Sequence, residues 1–82
     1  MSVTTAKSLL RIMSVRHAMH LDGTTRPAPA VADATKELVD KLSKLDPTES
    51  IDIAVIAEEP LHAQYVRLKT GELLAEIRLA DN

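Results

Sequence analysis

Between residues 30 and 45, apolar side chains recur at Val31, Ala34, Leu38, Leu42 and Leu45, three or four positions apart. This is one stripe of a 3.6-residue period, widened by Val39. It predicts an amphipathic helix with Asp33, Lys36, Glu37, Asp40, Lys41, Ser43 and Lys44 on its other side. Pro27 and Pro29 suit its first turn, where a missing N–H leaves no helical bond unmade. Asp40 and Lys44 are four apart in the favourable acid-first order. Asp46-Pro47 stops the helix, because the residue before proline is pushed out of the α region. Asp46-Pro47-Thr48-Glu49 has the spacing of a capping box, which predicts one further short helical turn.

Residues 4–21 contain no acid and are rich in helix formers. Val3, Ala6, Leu10, Met13, His17 and Leu21 fall on one stripe, with Leu9 and His20 beside it. Ile12, Val15 and Met19 form a second patch. A first helix is predicted, set between two neighbours. The alternative is a strand over residues 10–21. Asp22-Gly23 ends the segment, glycine being favoured just past a helix. Residues 24–29 form a short, stiff connector. The basic, serine-bearing, acid-free composition of 4–21 also matches a targeting presequence or a membrane-surface helix.

After the central helix the period changes to two. Ile51, Ile53 and Val55 alternate with Asp52 and Ala54, predicting a strand over 50–57. Glu58-Glu59-Pro60 closes it. Residues 62–69 and 72–80 flank Thr70-Gly71, a hairpin signal. The predicted fold is α+β, a single domain over 1–82. Two helices pack on a three-stranded antiparallel meander in the order α-α-β-β-β, with β-α-β-β-β as the alternative.

Turn length sets which hairpin side chains share a face. An even-numbered loop places Leu68 opposite Leu73. Val66, Leu68, Leu73, Ala75, Ile77 and Leu79 then share one face, with Gln64 its only polar member. Tyr65, Arg67, Leu74, Glu76 and Arg78 share the other. A three-residue loop would instead bury the Arg67 guanidinium without an evident partner, at a cost of several kcal/mol. The even register is therefore expected. Its outer face holds the only aromatic residue beside two arginines, types enriched at binding hot spots. Tyr65, Arg67, Leu74, Glu76 and Arg78 are the candidate partner-binding residues.

Composition narrows the chemistry. There is no cysteine, so neither disulfides nor thiolate metal sites are available, which fits a reducing, cytoplasmic setting. No apolar run approaches the roughly 20 residues of a membrane span. Residues 1–30 carry a net charge of +3, residues 31–50 of −2 and residues 51–82 of −3. His17 and His20 are three apart on the predicted helix, but a zinc site needs a third ligand, and nothing brings His62 or Asp22 there. Glu58 and Glu59 are adjacent on extended chain and point apart. With two glycines, no phosphate-cradling loop exists. No catalytic, metal or cofactor site is predicted, and the chain is not expected to be an enzyme.

The run Lys69-Thr70-Gly71-Glu72-Leu73-Leu74-Ala75-Glu76-Ile77 resembles the T-G-E-V-I-R-Q-I ending of FlaG-type flagellar proteins, in which a helix also precedes short strands. The resemblance covers residues 36–77. Ala75 and Arg78 stand where that family has its arginine and proline. It implies a flagellar accessory role and carries no site residue over.

The expectation is a small non-enzymatic protein that binds another protein, as bacterial or phage modulators and inhibitors do, and that also forms a homodimer. The rival is a nucleic-acid-associated module using Lys7, Arg11, Arg16 and Arg26.

Overall fold

The computed structural model describes residues 2–79. The chain runs β1 (Ser2–Thr5), α1 (Ala6–Leu21), α2 (Pro29–Leu42), β2 (Ser50–Glu58), β3 (Leu61–Arg67) and β4 (Leu73–Arg78). The four strands form one antiparallel sheet in the order β1-β2-β3-β4. Both helices cover the same face, so the fold is α+β. The end of the third predicted strand, Ala80, lies outside the described residues.

The meander has one strand more than expected. Ser2–Thr5 pairs along the outer side of β2, Val3 opposite Asp52 and Thr5 opposite Ser50. The additional strand precedes the first helix and does not replace it. Four residues are too few to show a period. Val3, Thr4 and Thr5 are β-branched strand formers, and that is the signal available. Thr5 then caps α1, its hydroxyl oxygen accepting the Ser8 N–H at 3.2 Å.

The α2 stripe packs as its period predicts. Val31, Leu38 and Leu42 are buried, and Ala34, Val39 and Leu45 close over them. Thr35 is buried on the same stripe, its hydroxyl donating to the Val31 carbonyl at 2.8 Å. The helix ends at Leu42, so Lys44 is beyond it and cannot meet Asp40 across a helical turn. The pair that forms is Glu37–Lys41 at 2.8 Å, also acid-first.

Residues 46–49 form a turn, not a helical one. Asp46 accepts both the N–H and the hydroxyl of Thr48, at 2.8 and 2.6 Å. Those two bonds, the hydroxyl's first, hold its carboxyl below the usual aspartate range. The turn also seats α1: Pro47 and Glu49 carbonyls accept the N–H groups of Lys7 and Ala6.

Only one patch of α1 reaches the core. Ala6, Leu9 and Met13 are buried, while Ile12 and Val15 stay exposed and Leu21 is 76% exposed. The helix therefore has one packed side and does not sit between two neighbours. Its last two turns line a cleft with Leu61, Tyr65 and Ile77 of the sheet.

The β3–β4 connection overturns the expected register. The loop is odd, residues 68–72, closed by the Arg67 N–H donating to the Glu72 carbonyl at 2.8 Å. Tyr65 pairs with Ala75 and Val66 with Leu73, so Leu74 is an extra residue in a bulge. Tyr65, Leu74, Ala75 and Ile77 are all buried against the helices. Leu68 is not opposite Leu73.

The objection to this register was an unpaired Arg67. The structure removes it: Glu49 takes the guanidinium through both carboxylate oxygens, and Glu72 lies 3.6 Å away. The Glu49 hydrogen bond raises the arginine's pKa further. Glu49→Leu and Arg67→Leu are each expected to lower the melting temperature. The double variant should lose less than the sum of the two, because each single change strands a half-buried charge. Strictly additive losses in that cycle would show the two side chains to be independent.

Candidate partner-binding face

The face of the sheet away from the helices has a defined order. Val3, Asp52, Val66 and Leu73 form one row across all four strands. Ala54, Gln64 and Glu76 form the next, followed by His62 opposite Arg78. Side chains opposite one another on paired strands touch, so each row is a strip of surface. The first strip is apolar apart from Asp52: Val3 is 54% and Leu73 46% exposed at its two ends.

Asp52 is 8% exposed at the middle of this strip. Its Oδ1 is buried and has no hydrogen-bond partner. Val3 and Val66 flank it on the neighbouring strands and offer no donor. The alternation that put Ile51 and Ile53 into the core turned Asp52 to the other side. Sequence reading used Asp52 only as the polar half of that alternation. An acid centred among β-branched residues on the helix-free side was legible only after the sheet order was known.

The other end of the face is a satisfied polar group. Glu76 accepts from the His62 Nε2–H and from Gln64 Nε2, the latter at 3.2 Å. Its carboxyl is held below the usual glutamate range, first by His62 and then by Gln64. The folded-state pKa is thus below the unfolded one. The associated stability is complete above the unperturbed value of 4.5 and is lost as pH falls through the folded value. Glu76→Gln is expected to flatten the acid limb of melting temperature against pH. Asp22 and Asp46 are lowered in the same way and keep part of that limb in the variant. An acid limb unchanged by the substitution would remove Glu76 from the pH response.

The five residues predicted to share an outer face are divided. Glu76 and Arg78 lie on the helix-free face. Tyr65 and Leu74 are buried under the helices. Arg67 is on the helix side at the sheet's end, held by Glu49. One bulge, invisible in the residue pattern, separates the sets. Val3, Asp52, Val66 and Leu73 take the place of the missing members.

The basic segment is also divided. Lys7 and Arg11 are four apart and share one side of α1. Arg16 is five residues further, turned by about 140°, and stands with Arg26 at the end of the sheet. His17 and His20 are on α1; among the described residues no three His, Cys, Asp or Glu side chains converge as metal ligands would. No described helix is long and apolar enough to cross a membrane.

Comparison with known proteins gives no match: no family model, no curated protein and no solved structure is similar to this chain.

Proposed function

We propose that this chain is a non-enzymatic binding module that docks another protein on the helix-free face of its sheet, modulating that protein by occupancy in a cytoplasmic setting. The observation that carries the reading is the Asp52 side chain, whose buried Oδ1 has no hydrogen-bond partner, in the row of Val3, Val66 and Leu73. A buried acceptor left unpaired costs about 1–3 kcal/mol. A partner that lays apolar side chains on the strip and a lysine or arginine on Asp52 removes that cost. It also covers the exposed ends of the strip.

A second copy suits this face poorly. A two-fold interface uses the same patch twice, which gathers two Asp52 and two Glu76 carboxylates in one desolvated contact. Homodimerisation therefore rests on other surfaces, the exposed Ile12 and Val15 of α1 and the unpaired outer edges of β1 and β4. Light scattering at high concentration should return twice the chain mass; a monomer mass rejects it. The nucleic-acid reading is weaker, since the four cations form two separate pairs and not one basic patch.

The test is a photo-crosslinking side chain at position 73, with position 68 as an exposed control off the strip, in the full chain expressed in its host. Position 73 should capture one defined protein, and Asp52→Ala should abolish that adduct. Equal capture at 68 and 73, or an adduct indifferent to Asp52, rejects the docking face.

A further inference from the structure

Beside the last two turns of α1 lies a cleft of about 620 Å³, within the roughly 300–1,000 Å³ range of small-molecule sites. Its walls are apolar: Met19 from α1, Pro27 from the connector, Val31 from the first turn of α2, and Leu61, Tyr65 and Ile77 from the sheet. The space follows from the sequence. Packing of α1 ends at Met13, and the chain has no phenylalanine or tryptophan to fill what remains.

The polar groups of the cleft are of one kind. Arg16, His20, Thr25 and Arg26 line it, and among the described residues no aspartate or glutamate does. His20 Nδ1 and Thr25 Oγ1 are buried without a hydrogen-bond partner. The Thr35 hydroxyl, in contrast, is already used on the Val31 carbonyl. Among the described residues neither Arg16 nor Arg26 has an ion-pair partner. Arg16 is near enough to the Tyr65 phenol for its charge to oppose the upward effect of burial on that group.

The connector is built to present these groups. Gly23, at a φ of +81°, turns the chain back, a conformation that L side chains rarely adopt. The Thr24 N–H is held by Asp22 at 2.8 Å, and the Thr25 N–H donates to the Met19 carbonyl at 3.2 Å. Thr25 and Arg26 are thereby fixed against the last turn of α1.

We infer that this cleft binds a small organic carboxylate with an apolar body, the head group between Arg16 and Arg26 and the body against Met19, Val31, Leu61 and Tyr65. Two guanidinium forks match a carboxylate in plane and charge. Thr25 and His20 then gain the partner they lack. A phosphate head group fits less well. Such sites draw on several free backbone N–H groups at a helix start. Here Pro29 has none, and those of Val31 and Ala32 donate to the Ala28 carbonyl. The cleft lies on the helix side of the sheet, so the site is independent of the docking face.

An amide chemical-shift titration of the full chain with octanoate, phenylpropionate, octanol, acetate and octyl phosphate tests it. Octanoate and phenylpropionate should saturate shifts at Met19, His20, Thr25, Arg26 and Leu61, and acetate should not. Octanoate should bind at least about tenfold tighter than octanol, the worth of one charge-assisted hydrogen bond. Arg16→Gln and Arg26→Gln, both at exposed positions, should each weaken octanoate by about tenfold and leave octanol binding unchanged. The inference is overturned by octanol equal to octanoate, by shifts centred on Ile12 and Val15, by arginine variants without effect, by tighter octyl phosphate, or by no binding of either carboxylate.

Discussion

Leu38→Ala is expected to destabilise the fold by about 2–5 kcal/mol, the range for emptying a buried leucine site. Leu38 is fully buried in the middle of the α2 stripe, with Leu42 one turn after it, Thr35 one turn and Val31 two turns before it, and the sheet beneath. The surroundings cannot collapse into the space, because they belong to a helix and a sheet that are both held elsewhere. For a domain of this size the loss corresponds to a melting temperature lower by roughly 10 °C or more. Leu38→Met, which keeps the volume, should cost less than about 1.5 kcal/mol. Thermal unfolding followed by circular dichroism reads both. Equal melting temperatures for wild type and the alanine variant would remove Leu38 from the core.

Asp52→Val has the opposite sign. It should raise stability by about 1–3 kcal/mol, because the cost of a buried unpaired acceptor disappears. Valine also suits a central strand better than aspartate does, and it continues the strip of Val3, Val66 and Leu73. The same variant should lose the crosslinked adduct at position 73. A gain of stability coupled to a loss of binding is the mark of a residue kept for recognition. Asp52→Asn discriminates further: it keeps an acceptor and the shape but removes the charge, so it should weaken capture without matching the valine's stability. A less stable Asp52→Val variant would mean that the carboxylate already has a stabilising role in the free protein, and the proposed face would lose its support.

Where the pattern was strong, it was read from local spacing alone. The α2 stripe places Val31, Leu38 and Leu42 inward by the geometry of a single helix, and nothing distant can move them to another side. The alternation of Ile51 and Asp52 about the β2 strand is equally local. Two helices, a hairpin at Thr70-Gly71 and an α+β class follow from such signals. The first helix was legible in extent but not in packing, since α1 carries two apolar patches and the helix period cannot say which one meets the sheet.

The candidate sites were not legible, and the reason is non-local pairing. Four residues, Ser2–Thr5, become a strand only because β2 offers an edge nearly fifty positions later. Arg67 can lie on the helix side because Glu49, 18 residues away in sequence, meets it there. The bulge at Leu74 puts Leu74 and Ala75 inward, on the side of Tyr65, and leaves Leu73 and Glu76 outside. Periodicity assigns side chains to faces only between irregularities, and one extra residue reverses every assignment beyond it. The amino-acid sequence by itself determined the α2 helix, the strand over residues 51–55 and the hairpin about Thr70-Gly71, and which side of α2 is core. Tertiary structure alone decided which sheet face stays open, that Asp52 is stranded on it, and that Arg16 and Arg26 line one cleft, because each depends on where strands and helices from distant parts of the chain come to rest.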